Sequence, residues 1–366
     1  MALVPNWSAG AAVTDDPTVD AKTKATFQRL ADAVFTDRTQ ALVDGAGKSR
    51  TRHTAGFSGS VRMSGGQNRQ QDSALGQLRD RRSTLAKLGE KYSDGSTQVT
   101  LDATQVKGRK AKVAVTETTT LTYERPVSRN QKNTGFQAHH ELTFEADRSG
   151  TWQLTGIRDT DDGYLAVNQV AKPSVASVKT VDDDSPPDAT RSATSWPAAA
   201  KPKNFTASGY DYQAMAAYAA KYWKNYNKAY PDFNGQGAGG DCTNFVSQSL
   251  KAGGWKHAPG YTNDWHKWFG TADIQSDSFV GVNEFSWFAL SSKRVTSLAN
   301  VYQLDVGDVL QMDFNRDGSK DHSMIVTYRD RYGVPYVTYH STNTYNRSVA
   351  SLIASYPTAA FYAYRT

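Results

Sequence analysis

From about Val170 to Ser208 the chain offers proline, alanine, serine, threonine and aspartate in place of periodic apolar residues, as in VDDDSPPDATRSATSWPAAAKPK. A stretch of this kind supplies no packed element, so whatever folds on either side must build its own core. The 366 residues are enough for two such cores. The sequence therefore predicts a disordered or extraneous N-terminus over 1–20, an accessory domain over 21–169, a linker over 170–208 stiffened by Pro186 and Pro187, and a second domain over 209–366.

In the first domain, Phe27, Leu30, Ala31, Val34, Phe35, Leu42 and Val43 recur at helical spacing over 21–44, and Leu75, Leu78, Leu85, Leu88 and Tyr92 do so over 72–92. Four β-rich runs follow: TQVTLDATQV, KAKVAVTETTTLTYE, FQAHHELTFEA and GTWQLTGIRD. Turn signals at 107–109, 133–135 and 147–150 separate them. Helices followed by an antiparallel meander make an α+β unit. Its layout resembles cystatin-like or nuclear-transport-factor-like modules.

Aromatic content changes after Gly209, where 16 of the 19 tyrosines lie beyond residue 200. YDYQAMAAYAAKYWKNYN reads as a helix with a Tyr/Ala face. DCTNFVSQSLKAGG reads as a second helix, capped by Asp241 and stopped by Gly253 and Gly254. DVGDVLQMDF, HSMIVTYR, PYVTYHST and AFYAYR read as strands.

The chain has one cysteine, Cys242, inside GGDCTNFVSQSL. A lone cysteine forms no intrachain disulfide and no Cys-x-x-Cys metal or redox pair. At the first turn of a helix its thiolate is favoured by unpaired N–H groups and the macrodipole, and Gly239 and Gly240 leave room for a substrate. The same N–H groups, Cys242's own among them, would form half of an oxyanion hole. The bland alternative is a small buried hydrophobe.

A nucleophilic cysteine needs a base, and this domain offers His257, His266, His322 and His340. If Tyr328 lies opposite Val334 in a hairpin, His322 lies opposite His340 on one face, as a base and its orienter would. His257 and His266 fall in a Trp-, Asn- and Gly-rich loop and read as surface or cleft-edge residues.

GGDCTNFVSQSL, VGDVLQMDFNRDGSKDHSMIVT and YHSTNT, in that order, resemble the bacterial putative-amidase domain family over about residues 208–366. That family is a branch of the papain-like fold related to NlpC-type cell-wall cysteine peptidases. The resemblance implies Cys242 as nucleophile, His322 as base, and His340 or Asn343 as the third polar residue. It implies amide hydrolysis through a thioester, with no cofactor required, in a secreted or surface protein acting on a peptide or cell-wall peptide. Tyr230, Asn234 and Gln236 are candidates for the second oxyanion donor. An acyl transferase on the same machinery, or a catalytically retired binding module, are the alternatives.

DFNRDGSKD places Asp313, Asn315, Asp317, Gly318 and Asp321 at positions 1, 3, 5, 6 and 9 of a calcium loop, with Met324 where the usual glutamate would be. The competing reading is an ordinary hairpin turn. Trp255, Trp265, Trp268 and Trp287 read as core or cleft wall, with one or two available to stack on substrate.

The net charge of +6 is split evenly between residues 1–200 and 201–366, and no basic arm exists, which argues against a nucleic-acid partner. No apolar run is long enough to span a bilayer. The first residues, MALVPNWSAGAAVTDDP, lack a charged n-region and an apolar h-region, so any export signal is expected to have been replaced. Oligomeric state leaves no trace in the sequence.

Overall fold

The computed structural model describes residues 19–45, 52–125, 132–161, 165–170, 186–235 and 240–366. The expectations for residues 1–18 and 171–185 fall outside these. The chain divides into two compact units, Met1–Val170 and Ala171–Thr366.

Unit 1 begins with α1 (Ala21–Leu42), whose first turn is closed by the Asp20 carboxylate accepting from Thr23 N. After β1 (Val61–Met63) comes α2 (Gly65–Lys87), then β2 (Tyr92–Lys107), β3 (Lys110–Tyr123), β4 (Asn133–Ala146) and β5 (Trp152–Asp159). The second helix starts about two turns earlier than its apolar spacing suggests, because Ser64 caps it by accepting from Gln67 N, and it ends at Lys87, so that Tyr92 opens β2 rather than closing the helix. The strand order is β1-β5-β4-β3-β2, antiparallel except for β1 against β5. The turn expected at 133–135 is instead the start of β4, paired with Thr122, Leu121 and Thr120.

Alternation along β3 and β4 turns Val113, Val115, Leu142 and Phe144 toward Phe27, Leu30, Val34 and Phe35 of α1. Each fully buried side chain of this size stabilises the unit by roughly 1.5–3 kcal/mol. Gly95 lets β2 pass close under α1, since a Cβ there would lie 2.8 Å from Thr39 Cγ2.

A buried polar network crosses this core. His140 Nδ1 bonds Asp159 Oδ1 at 2.9 Å and Nε2 bonds Glu117 Oε2 at 3.1 Å, with Phe35 stacked on the ring. Burial pulls the imidazole pKa down, but the two carboxylates outweigh it and raise it to about 9. The folded value lies above the unfolded one of about 6.5, so the stabilisation is complete below pH 6.5 and lost as pH rises through 9. Urea midpoints of unit 1 are expected to fall between those pH values by the equivalent of about 3 kcal/mol. His140→Gln should remove that slope.

Unit 2 contains α3 (Tyr212–Tyr222), α4 (Cys242–Ala252), α5 (Asp277–Val280), α6 (Val282–Ser291), β6 (Thr296–Leu298), β7 (Val309–Asp313), β8 (His322–Arg329), β9 (Pro335–Tyr339), β10 (Thr344–Ser348), α7 (Val349–Ser355) and β11 (Ala360–Arg365). Its strands run antiparallel in the order β10-β9-β8-β7-β11-β6. Both faces are covered. Val309 and Ile325 meet Met215 of α3, Phe245 and Leu250 of α4 and Phe285 of α6 on one face, with Trp268 from the α4–α5 connection. On the other, Met312, Met324, Val326 and Tyr339 meet Val349 and Leu352 of α7. Gly253 ends α4 against α3, where a Cβ would sit 2.3 Å from Met215 Cγ.

The stretch read as linker up to residue 208 is not free over its second half. Ser192 N donates to Phe361 O and Ser192 Oγ to Leu298 O, while Ala193 exchanges backbone bonds with Ala299 and Val301. Gln303 Nε2 donates to Ala199 O, and the buried Lys203 ammonium bonds Asp308 Oδ1 at 2.7 Å. Backbone groups and one lysine, which an apolar-period reading does not register, bind the segment to unit 2.

Among the described residues no helix is long and apolar enough to cross a membrane. Unit 1 and unit 2 are both α+β.

Candidate active site

Cys242 is the first residue of α4, 1% exposed. Gly240 before it has φ +79°, a left-handed angle suited to glycine. Gln236 and Gly239 lie outside the described residues. The Cys242 Sγ is 3.7 Å from Thr243 Oγ1, which bonds Ser323 Oγ at 2.9 Å. Gln311 Nε2 donates to Ser323 Oγ at 3.0 Å and to Val282 O at 2.7 Å. The backbone N–H groups of Ser323 and Thr243 lie near enough to the sulfur to favour its charged form.

These donors favour a thiolate, yet the thiol is pushed up to about 11. Burial is the main cause, and the Asp241 charge adds to it. The expectation of a depressed thiol pKa is therefore corrected. A helix N-terminus contributes about 1 kcal/mol, less than the cost of removing water from the anion.

Asp241 stands at the N-cap position, but its side chain makes no capping bond. Oδ1 instead accepts from Phe233 N at 3.1 Å and Asn244 Nδ2 at 2.8 Å. Oδ2 lies 2.5 Å from His340 Nδ1. His340 Nε2 donates to Tyr222 O at 2.9 Å. A carbonyl oxygen only accepts, so Nε2 carries a hydrogen, while Nδ1 faces the Asp241 carboxylate.

The expected pairing of His322 with His340 does not occur. The hairpin pairs Arg329 with Pro335 and Tyr328 with Tyr336, and an irregularity at Val326–Tyr328 then sets Val326 opposite Val337 and Ile325 opposite Thr338. Continued, this register puts His340 opposite Ser323. A one-residue slip turns every side chain to the other face. Ser323 faces α4, so its neighbour His322 points the other way, edge-on to Tyr339 at 4.7 Å between ring centroids. Burial, with the Arg347 guanidinium beside it, holds the His322 pKa well below its ordinary value. The structure thus brings Cys242 together with Asp241, Ser323 and the His340 side of the sheet, and places His322 on the opposite face.

Asn343 Oδ1 accepts from Tyr226 OH at 2.7 Å, and the same hydroxyl accepts from Asn234 Nδ2 at 2.7 Å. Asn234 is thereby spent on the Tyr226 hydroxyl rather than aimed at an oxyanion. Tyr230 packs on Phe279 with Lys251 over its ring, so it belongs to the core margin. His257 packs against Trp268 and Phe279, and His266 bonds Asp264. Trp255 and Trp268 are core, whereas Trp265 stacks on His266 and meets Trp287 edge-on.

In the β7–β8 turn the carboxylates hold the chain itself: Asp313 Oδ2 accepts from Gly318 N, Asp317 Oδ1 from Ser319 N, and Asp321 Oδ2 from Phe314 N. Asn315 Nδ2 donates to Asp317 Oδ2. No group of three or more His, Cys, Asp or Glu able to hold a metal occurs among the described residues. These bonds are of the kind a hairpin turn makes with Asx side chains.

Sequence reasoning missed Asp241 as a partner of His340, and Ser323 as a partner of the thiol. A hairpin register one residue different would have put Ser323 and His340 on one face.

Residues 209–364 match the family model described as a putative amidase domain. This supports an amide-hydrolysing enzyme. Two curated relatives, both from Bacillus subtilis strain 168 and both described as uncharacterized proteins, are similar to this chain. YhbB is 33% identical over 144 residues, covering 37% of this chain and 44% of its own length. YjcM is 33% identical over 148 residues, covering 38% of this chain and 32% of its own length. The chain spans less than half the length of these relatives. Among solved structures, the intermembrane space region of chloroplast protein ARC6 overlaps 39% of this chain and 98% of its own, at 17% identity and a TM-score of 0.25. That overlap bears no weight.

Proposed function

We propose that unit 2 hydrolyses an amide bond through a thioester on Cys242. The observation that carries this reading is the cradle around the sulfur: the N–H groups of Ser323 and Thr243 and the Thr243 hydroxyl converge on a lone thiol at the start of a helix. Such donors stabilise negative charge, first on sulfur and then on the oxygen of a tetrahedral intermediate. The sulfur attacks the carbonyl carbon as the thiol loses its proton, the C–N bond breaks, and the leaving amine takes a proton from a neighbouring pair that the thiol proton replenishes. Water then opens the thioester, giving a carboxylate and the restored thiol.

The proton-holding unit on the nucleophile's face is Asp241–His340. Its proton is the one we assign to the leaving amine. A peptide or cell-wall peptide substrate, a papain-like relationship and export from the cell belong to the same proposal and follow from the resemblance of the Cys242, His322 and Tyr339–Thr344 motifs.

Iodoacetamide alkylation of Cys242, followed by intact mass against pH, tests it. At pH 9 His340→Gln should slow the reaction roughly tenfold, because Asp241 then stands uncompensated beside the thiol. His322→Ala should leave it within about twofold. A large loss in His322→Ala alone would return the base to His322 and overturn the assignment to His340. A second reading, an inert structural thiol, is favoured by the burial of Cys242 and its raised pKa. Alkylation absent until the protein unfolds would establish it.

A further inference from the structure

His340 is sandwiched. Tyr226 stacks on one side of the imidazole at 3.8 Å between centroids and 5° between planes. Phe245, one helical turn beyond Cys242, covers the other at 4.0 Å and 27°. The Tyr226 hydroxyl is fixed in turn, donating to Asn343 Oδ1 and accepting from Asn234 Nδ2, both at 2.7 Å.

The loop that presents Asn343 adopts an uncommon backbone. Ser341 and Thr342, both buried, have φ +64° and +59° in succession, a conformation that disfavours side-chain-bearing residues. Thr342 Oγ1 donates to Ser341 O and Thr344 Oγ1 to Thr342 O, which holds the turn. The strained turn directly follows His340 and delivers an amide oxygen to the ring stacked upon it.

We propose that Tyr226 is the positioning residue of this site, fixing the plane of the His340 ring through its own ring and through the Asn343–Tyr226–Asn234 bonds. The ring is covered on both faces and bonded at both nitrogens. Its Nδ1 is thereby kept on Asp241, where it offsets the carboxylate charge that opposes thiolate formation at Cys242. Asp232, on the loop before α4, is a further charged group that bears on His340. This inference rests on the reading of Cys242 as nucleophile with Asp241–His340 beside it.

The test is the rate of iodoacetamide alkylation of Cys242 between pH 7 and 10 in wild type, Tyr226→Phe, Tyr226→Ala, Asn343→Ala and the double variant Tyr226→Phe/Asn343→Ala. His340→Gln runs in parallel, and near-ultraviolet circular dichroism verifies folding. Tyr226→Ala should be at least threefold slower at pH 9, with the profile displaced to higher pH. Tyr226→Phe, which keeps the stack, should recover part of that rate. The double variant should be no slower than Tyr226→Phe, because both single changes remove the same bond. If Tyr226→Ala and Tyr226→Phe, both folded, follow the wild-type profile while His340→Gln does not, the positioning role is overturned and the assignment of His340 stands. If His340→Gln also follows wild type, the underlying reading falls with it.

Discussion

Cys242→Ala is expected to abolish amide hydrolysis, lowering turnover by at least about a thousandfold, as removal of a nucleophile does elsewhere. The fold should survive. The side chain is small and buried beside hydroxyls, so its truncation should cost about 1 kcal/mol. The pH dependence of the native thiol gives a second handle. With its pKa pushed up to about 11, the thiolate fraction should rise close to tenfold per pH unit across the neutral and mildly basic range. Acylated Cys242, trapped by acid quench and seen by intact mass with a candidate peptide amide, would place the covalent step at this sulfur. Turnover surviving in Cys242→Ala would remove the thiol from the reaction altogether.

The second large effect is on stability and lies at Asp308. This carboxylate is fully buried, bonding Lys203 Nζ at 2.7 Å and standing 2.9 Å from Arg365 Nε, and it accepts from Thr366 N and Asp305 N. Burial draws the Lys203 pKa down to about 8 against the attraction of Asp308. Asp308→Ala would leave a buried ammonium and a partly buried guanidinium without their shared counter-charge, and unit 2 should lose roughly 3–5 kcal/mol. Lys203→Met/Asp308→Leu should recover much of that loss, because the apolar pair removes both the charge and its partner. Urea midpoints for the variants decide the matter. A loss within 0.5 kcal/mol or so for Asp308→Ala would mean that water reaches the cluster.

Legibility in the sequence followed the kind of signal each element carries. Both long helices of unit 1 were legible because Phe27, Leu30 and Val34, or Leu75, Leu78 and Leu85, lie one or two turns apart on a single buried stripe. The start of α4 at Cys242 and its stop at Gly253 were legible as well. The face that His322 adopts was not. It depends on one irregularity in the β8–β9 pairing, and period-two alternation turns a single inserted residue into a reversal of direction. The thiol pKa was misjudged for a different reason. A sequence displays the helix end but not the depth at which it is buried. The Asp241–His340 bond joins residues far apart in the chain, and no local pattern announces it.

The strapping of residues 192–203 to unit 2 has a practical consequence for where that unit can be cut. The family match begins at residue 209, yet a polypeptide starting there would lack Lys203 and the segment bonded to Leu298, Ala299 and Phe361. Asp308 would keep its burial and lose one counter-charge, and backbone groups beside β6 and β11 would lie bare, an invitation to edge-to-edge aggregation. An excised unit beginning near Pro186 keeps its own edge guard.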